Sequence, residues 1–381
     1  MRIGILTLPL HTNYGGILQV YALQTVLERS GHHVVVFNHK KEHYYPLWRL
    51  PLSYVKRIIK KYVLGRNNTR IFVELHQKRD YPTIAQHTQW FVDEYIHTYN
   101  VDSFSSLKAV DFDAIVVGSD QVWRPTYFVS MFHAEIENAF LSFAKKWRIR
   151  KIVYAASLGV NTWEFSNKQT LKCKELIKKF DFISVREDSA VDLCKRYLDV
   201  GNVELVLDPT LLLKKDDYIS LVQHEKEPIS KGNLFYYLLD KNEQKVIAVE
   251  TTAKLLNLTP FTVMPIDSNS KNIEDRVYPS VTKWLRGFMD AKFVVTDSFH
   301  GVVFSILFNV PFLVISNESR GGARFHSILK LFSLENRLIK NLDDLNKISL
   351  SPINWDLVNK LHEQLKEKSC HLLTSNLSIP K

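Results

Sequence analysis

The chain has 381 residues, of which 45% are hydrophobic and 24% are charged; this length is typical of two domains, and the composition excludes general disorder. Lysine and arginine outnumber aspartate and glutamate by 50 to 40, so the formal net charge is +10. This excess favours an anionic small substrate, an anionic membrane surface or nucleic acid as a partner, and does not choose among them. The three cysteines (Cys173, Cys194 and Cys370) are odd in number and far apart. They argue against a disulfide framework and a cysteine zinc site, and they favour a reducing, cytoplasmic setting.

The apolar segments are too short for a signal peptide or a membrane span. The start, from Met1 to Leu10, is apolar but then meets His11, which fits a first strand better than a cleavable leader. The longest apolar stretch, 302–315, is interrupted by polar residues and falls short of the roughly 20 residues that cross a bilayer. We therefore expect a soluble or peripherally bound protein.

Buried-strand patterns alternate with helical patterns along almost the whole chain. In the first half, strands are predicted at 2–8, 34–37, 114–117, 151–155, 182–185 and 204–207, with a helix at 17–28. In the second half, strands are predicted at 234–239, 260–264, 293–296 and 312–315, and helices at 242–256, 281–289, 299–308 and 355–368. Continuous apolar strands separated by helices indicate parallel sheets covered on both faces. We predict an α/β protein with two Rossmann-like domains facing a cleft, residues 1–213 and 214–381, and a C-terminal helix.

Residues 48–70 depart from this alternation. Apolar side chains follow helical spacing there, and basic side chains occupy much of the opposite face. The pattern predicts a basic amphipathic helix at about 48–66. Such a helix either packs on its domain as a surface helix or lies at an anionic membrane surface, and the residues alone leave both possibilities open.

Two polar motifs follow strands of the first domain, where ligands of parallel sheets bind. The first is the loop Asn13, Tyr14, Gly15 and Gly16 with Gln19 behind it. Its glycines suit either an anion cradle or a tight turn, and neither a dinucleotide fingerprint nor a Walker A sequence accompanies them.

The second motif follows the strand at 114–117. It places Asp120, Gln121 and Trp123 together, which suits recognition of a polar ligand beside an aromatic platform, or a capped loop.

Three further motifs carry basic or imidazole groups. Arg186 ends a strand and is either a bidentate ligand of carboxylate or phosphate or half of a surface ion pair. Ser298 and His300 lie where the helix at 299–308 begins, so an anion at the helix start would have a proton-transfer group beside it. Arg320 and Arg324 flank a glycine pair and would either close over a polyanion or lie in a solvated loop.

Other chemistries lack their motifs. No His-Glu-x-x-His or paired Cys-x-x-Cys sequence is present, so we predict no metal site. The basic residues are dispersed without a nucleic-acid motif, so we expect no nucleic acid partner. Ser298 lacks a nucleophile elbow, which argues against a serine hydrolase.

The motifs, taken in order, resemble those of the polysaccharide pyruvyl transferase family. The resemblance rests on Asn13–Gly16 with 18–24, 118–123, 184–187, 207–210 and 296–301, and it runs from about residue 1 to about residue 340. It implies a glycosyltransferase-B-like fold, phosphoenolpyruvate as donor and no cofactor. The product implied is a pyruvate ketal bridging two hydroxyls of a sugar in a bacterial surface glycan, made on a lipid-linked acceptor at the cytoplasmic face of the membrane.

The same resemblance implies roles for the candidate residues. His300 is the leading acid or base, and Asp120 orients or deprotonates the acceptor. Arg186 and Ser298 bind the donor, with Arg320 and Arg324 as further donor contacts. The acceptor side would comprise a larger set: Asn13, Tyr14, Gly15, Gly16, Gln19, Gln121 and Trp123. Two alternatives stay open, namely a glycosyltransferase that uses a sugar nucleotide and a non-catalytic glycan-binding or assembly subunit.

Overall fold

The computed structural model describes residues 1–39, 50–63, 73–317, 321–339, 345 and 351–378. The strands of the first sheet are β1 Arg2–Leu6, β2 His33–Asn38, β3 Thr98–Asn100, β4 Ala114–Val117, β5 Arg150–Ala156, β6 Phe182–Val185 and β7 Glu204–Leu205. Those of the second sheet are β8 Leu234–Tyr237, β9 Pro260–Phe261, β10 Phe293–Thr296, β11 Phe312–Ile315 and β12 Leu338–Ile339.

Helices connect and cover these strands. The helices of the first half are α1 Tyr14–Arg29, α2 Leu50–Ile58, α3 Val73–Ile84, α4 Gln86–Tyr95, α5 Pro125–Phe132, α6 Asn167–Ile177 and α7 Asp188–Leu193. Those of the second half are α8 Lys215–His224, α9 Glu243–Leu256, α10 Val281–Asp290, α11 Phe299–Phe308, α12 Gly322–Leu331 and α13 Trp355–Ser378. A π-helical turn, Ile59–Val63, continues α2.

Both sheets pair in parallel throughout, and each has one point where the strand order reverses. The first sheet runs β3-β2-β1-β4-β5-β6-β7, so its order reverses between β1 and β4. The second runs β12-β11-β10-β8-β9 and reverses between β8 and β10. In open α/β sheets ligands bind beside such reversals, beyond the carboxyl ends of the strands. The loops after β1 and β4, and those after β8 and β10, are therefore the places where the topology favours a site.

The predicted fold class, two Rossmann-like α/β domains facing a cleft with a C-terminal helix, is confirmed. β4, β6, β10, β11 and α11 have the predicted bounds. β3 and β12 were not predicted because they have three and two residues, too few for a periodic pattern. The division predicted after residue 213 falls between the two sheets, just before α8; as an exact boundary it stays a prediction.

The two lobes share an apolar core. It runs from β1 and α1 of the first lobe to α10 and α11 of the second. Between the lobes, Tyr14 of α1 stacks on Trp284 of α10 with ring centroids 5.6 Å apart. The C-terminal helix α13 returns to the first lobe: the Ser369 hydroxyl accepts a hydrogen bond from the N–H of Leu207 at 3.1 Å, and Val358 and Leu373 are buried. Among the described residues, no helix is both long and apolar enough to cross a membrane.

Candidate active site

The site lies where the helices that follow β1 and β10 meet across the cleft. α11 begins directly after Ser298, whose hydroxyl accepts a hydrogen bond from the N–H of Gly301 at 3.4 Å and so caps the helix. His300, in the first turn of α11, packs on Gly15 in the first turn of α1. A Cβ at Gly15 would lie 2.7 Å from the Cβ of His300 and closer still to its ring. The missing side chain is therefore what lets the imidazole reach the first lobe.

Arg186 is the centre of a buried ionic cluster. Its guanidinium donates to Oδ2 of Asp208 at 2.6 Å and to Oδ1 of Asp120 at 3.0 Å, and its side chain is 1% exposed. The guanidinium carbon lies 4.6 Å from the centre of the Phe299 ring. Burial alone would lower the pKa of Arg186, but Asp208 and Asp120 outweigh burial and raise it. Arg186 thus stays charged. Its ion pairs with Asp208 and Asp120 are buried, so it does not form the surface ion pair that the sequence left open.

Asp208 joins the cluster to His300. One carboxylate oxygen accepts hydrogen bonds from the N–H and hydroxyl of Thr210, at 3.1 and 2.7 Å, which fixes the carboxylate beside the end of the first sheet. The other oxygen lies 3.8 Å from Nε2 of His300, an ion-pair distance that is too long for a hydrogen bond. Burial raises the pKa of Asp208, but His300 and Arg186 together outweigh it and hold the pKa well below its usual value.

Asp120 sits between two cationic groups. Besides its bond to Arg186, its Oδ1 lies 3.9 Å from a guanidinium nitrogen of Arg324. Burial raises the pKa of Asp120, whereas Arg186, His300 and Arg324 lower it, and the net effect is a lowered pKa. Its backbone has φ of 64°, in the left-handed region that few non-glycine residues occupy. Strained conformations of this kind concentrate at functional sites.

Arg324 comes from the second lobe and reaches the same Phe299 ring, 5.2 Å from its centre. Burial, and then repulsion from Arg186, lower the pKa of Arg324 to about 10. The turn before α12 is held against the first lobe, since a Cβ on Gly321 (φ of 103°) would collide with the carbonyl oxygen of Gly159. Two guanidinium groups from different lobes thus converge on one aromatic ring, an arrangement suited to an anion with more than one charge.

Two buried nitrogens in the cluster have no hydrogen-bond partner within the described part of the chain. They are Nε of Arg186 and Nε2 of His300. A buried polar group without a partner is costly. A bound anion would supply an acceptor to Nε of Arg186, and to Nε2 of His300 when that nitrogen carries a proton.

Three of the predicted acceptor-side residues and the predicted catalytic Asp120 come together at a narrow cavity of about 40 Å³. Asn13, Gly16, Gln19 and Asp120 line it, with Leu10 among the apolar residues. The amide of Gln19 donates to Thr7 and to the carbonyl of Gly16 and accepts from Ser119, so its side chain is fixed. The cavity leads to Asp120 and therefore to the ionic cluster.

Other predicted residues lie away from any open surface. Trp123 was expected to stack on a sugar, but it is fully buried, stacked on Phe140 at 4.8 Å and hydrogen-bonded to the carbonyl of Ala139. Tyr14 is also fully buried and donates to the carbonyl of Pro279. These two side chains belong to the core, and the expectation that they contact an acceptor is wrong for this structure. Gln121 is buried too; its side-chain oxygen accepts from Arg124 at 3.1 Å.

Arg320 lies outside the described residues. Ser298 is placed at the start of α11 as predicted, 4% exposed, with its hydroxyl used as the helix cap. Sequence reasoning assigned no role to Asp208 or Phe299. Asp208 follows the strand-like run at 204–207, so the rule of searching strand ends could have found it; no sequence signal marks Phe299 as the ring beneath both guanidinium groups.

A second buried network supports the same edge of the second sheet. Both oxygens of Asp297 accept bonds: the N–H of Leu239 at 2.6 Å and the ammonium of Lys245 at 2.6 Å. The side-chain amide of Asn317 donates to it as well, at 3.2 Å. Asp297 is 1% exposed, so it fixes the loops after β8, β10 and β11 rather than facing the cleft.

Within the described ranges, no group of three or more histidine, cysteine, aspartate or glutamate side chains is arranged to hold a metal ion. The charged and titratable groups that the described residues bring to the site are guanidinium, imidazole and carboxylate side chains. Together they can bind a multiply charged anion, hold a proton beside it, and present a carboxylate to a neighbouring polar ligand.

Comparison with solved structures gives distant likenesses over nearly the whole chain. LpCGTa in complex with UDP is 10% identical with a TM-score of 0.48, covering 100% of this chain and 99% of that one. UDP-GlcNAc 2-epimerase from Neisseria meningitidis bound to UDP-GlcNAc is 7% identical with a TM-score of 0.47, covering 97% and 94%. The spinosyn rhamnosyltransferase SpnG is 10% identical with a TM-score of 0.44, covering 98% and 99%.

No curated protein matches the chain. The model of the polysaccharide pyruvyl transferase family matches residues 13–319, which include α1, the Asp120 loop, Arg186, Asp208 and His300. The match covers most of the chain. Arg324 of the ionic cluster lies beyond its end. The chain belongs to the polysaccharide pyruvyl transferase family.

Proposed function

We propose that the protein transfers a pyruvyl group from phosphoenolpyruvate to two hydroxyls of a sugar, in a bacterial surface polysaccharide or its lipid-linked precursor, and forms a pyruvate ketal. One observation carries the proposal: in a chain of this family, Arg186, Arg324 and His300 converge on one point of the cleft from distant segments. No cofactor or metal enters the proposed reaction.

The donor fits the charge pattern of the cluster. Phosphoenolpyruvate carries a carboxylate and a phosphate, and guanidinium groups are well suited to both. Arg186 gives two of its nitrogens to Asp208 and Asp120 and has Nε left for the donor. Arg324 supplies the second guanidinium. The start of α11, capped by Ser298, adds backbone N–H groups that favour phosphate. Burial of Arg186 and Arg324 strengthens their attraction for an anion relative to water, and the carboxylates of Asp208 and Asp120 offset part of that attraction.

The proposed chemistry uses the enol phosphate of the donor. His300 protonates the methylene carbon, which becomes the methyl group, and C2 accepts the first sugar hydroxyl as that hydroxyl loses its proton. The bond from C2 to the phosphate oxygen then breaks, phosphate leaves with the bonding electrons, and the second hydroxyl closes the ketal. Of the two hydroxyl protons, one balances the proton delivered to carbon and the other leaves with phosphate or solvent.

The two carboxylates have different parts in this scheme. Asp208, 3.8 Å from Nε2 of His300, stabilises the protonated imidazole. Asp120 lines the cavity of Asn13 and Gln19, and its lowered pKa keeps it ionised near neutrality, so it orients an acceptor hydroxyl by accepting its hydrogen bond. Since phosphoenolpyruvate is a cytoplasmic metabolite, the proposal places the reaction in the cytoplasm, at the inner face of the plasma membrane where lipid-linked acceptors are held.

The test is incubation with phosphoenolpyruvate and a panel of lipid-linked and synthetic glycans, with products read by mass spectrometry. We expect a product heavier than the acceptor by pyruvic acid less water. His300→Ala should lose at least about 100-fold in turnover, the lower range for a positioned acid or base. Arg186→Lys should bind the donor more weakly, because one ammonium cannot hold Asp208 and Asp120 as the planar guanidinium does and also bind the donor.

Thermal stability with added ligand separates this proposal from its alternatives, because a ligand that binds only the folded state raises the melting temperature. Stabilisation by phosphoenolpyruvate supports it. Stabilisation by a sugar nucleotide instead, with sugar transfer, would identify a glycosyltransferase. Glycan binding with no donor binding would identify an assembly subunit, and full activity in His300→Ala would remove His300 from the mechanism.

A further inference from the structure

The segment from α2 through its π-helical turn exposes an apolar face to solvent. Leu52, Val55, Ile58, Ile59, Tyr62 and Val63 are each between 42% and 74% exposed. In a helix that packs on its own domain such residues face the core. The surface-helix alternative from the sequence therefore does not account for these side chains, and an exposed patch of this kind marks an interaction site.

The same segment is strongly basic. Lys56, Arg57, Lys60 and Lys61 lie beside the apolar side chains. From residue 43 to residue 73 the sequence has seven lysines and arginines and no aspartate or glutamate. The formal net charge of the whole chain is +10, and this stretch, with seven cations and no anions, accounts for most of it. Two copies of so positive a surface would repel each other, which argues against self-association through this face.

We propose that residues 50–63 form a docking surface for an anionic lipid bilayer. The apolar side chains would enter the boundary between headgroups and acyl chains, while the lysines and Arg57 reach the lipid phosphates. Tyr62, an amphipathic ring 5.5 Å from the ammonium of Lys61, suits the headgroup level.

The segment is attached on the acceptor side of the cleft. It belongs to the connection that leaves β2 at the carboxyl end of the first sheet and returns through α3. Tyr81 of α3 lies 3.1 Å from Nδ1 of His11, in the loop after β1 that lines the cavity of Asn13 and Asp120. Docking would hold this loop beside the bilayer. The inference concerns a surface and not the reaction, so it stands or falls separately from pyruvyl transfer.

The test is flotation of the full chain with vesicles of phosphatidylcholine alone or with one third phosphatidylglycerol. We expect recovery with the anionic vesicles and little with the neutral ones, and weaker binding at high salt. Each basic residue near an anionic surface strengthens binding about fivefold. Lys60→Gln with Lys61→Gln should therefore weaken partitioning about 25-fold, and Leu52→Ser with Val63→Ser should weaken it about tenfold or more.

The matched control is Lys145→Gln with Lys146→Gln, which removes the same charge from exposed positions elsewhere on the first lobe. It should leave partitioning within about twofold of wild type. None of the six substitutions removes a buried side chain, so the three double variants should have the same melting temperature as the wild type. The proposal is wrong if the chain ignores anionic vesicles, or if the control weakens binding as much as the Lys60 and Lys61 pair. It is also wrong if the chain dimerises without lipid and the Leu52 and Val63 pair makes it a monomer.

Discussion

Adding one methyl group at Gly15 should disable the site without touching a charged residue. Gly15 and Gly16 are neighbours in the first turn of α1, and both are replaced here by alanine. At Gly15 the new Cβ would overlap the imidazole of His300. At Gly16 it would meet the side chain of Asn13 at 3.1 Å, a tight contact that a small shift of that amide relieves.

The expected sizes follow from these contacts. Each alanine gains up to about 1 kcal/mol of helix propensity. Gly16→Ala should keep most of that gain. Overpacking should lower the free energy of unfolding of Gly15→Ala by about 1–3 kcal/mol, because His300 is held in the first turn of α11 and must move by more than about 1 Å. A displacement of that size from a reacting group can cost about 100-fold in rate. We therefore expect Gly15→Ala to fold and to lose turnover about 100-fold, with Gly16→Ala within a few-fold of wild type.

The assay pairs chemical unfolding with ketal formation from phosphoenolpyruvate, measured for both variants beside the wild type. If Gly15→Ala retained wild-type turnover, the contact between Gly15 and His300 would have no part in placing the imidazole. If both variants lost activity equally, the cause would be the helix start as a whole and not the position of His300.

Two other predictions test structure more than chemistry. Lys245→Met should destabilise the fold by about 3–5 kcal/mol, because it leaves the carboxylate of Asp297 buried without its ammonium partner; a loss below about 1 kcal/mol in urea unfolding would contradict this reading of the network. Burial lowers the pKa of His362 below its ordinary 6.5, although its ring N–H donates to the carbonyl of Leu211. A lowered folded-state pKa means that the unfolded chain binds the proton first, so stability is present above about pH 6.5 and is lost as the pH falls. His362→Gln keeps a donor and should flatten the dependence of unfolding free energy on pH between about 5 and 7; an unchanged slope would rule out this histidine as its source.

The sequence predicted the strand ends well because buried parallel strands are short, continuous apolar runs with turn residues after them. It placed the start of α1 at Ile17, three residues late, because Gly15 and Gly16 have low helix propensity. Packing against His300 overrides that propensity. The C-terminal helix was predicted to end at Lys368 but continues to Ser378. The added turns were missed because they are largely polar, and their buried residues are Ser369, Leu373 and Leu377.

The site could be predicted only as a set of strand ends. Which groups pair is not visible in the sequence: Arg186 bonds Asp208 and Asp120, which lie 22 and 66 residues away. Trp123 was misassigned because an aromatic ring after a strand has the same local pattern whether it faces a ligand or a neighbouring ring. Its partner Phe140 belongs to a later segment, and only the folded chain brings the two together.

The return of α13 to the first lobe has a practical consequence for dissecting the protein. A fragment that stops at residue 213 keeps every strand of the first sheet but lacks the apolar cover supplied by Val358, Leu373 and Leu377. Such a fragment would expose apolar side chains to solvent and should precipitate. Residues 355–378, fused or added in trans, would restore only part of the cover, because α1 also packs on α10 and α11. The two halves of this chain are therefore not interchangeable modules, and lobe-swapped chimaeras should take the final helix from the parent that donates the first lobe.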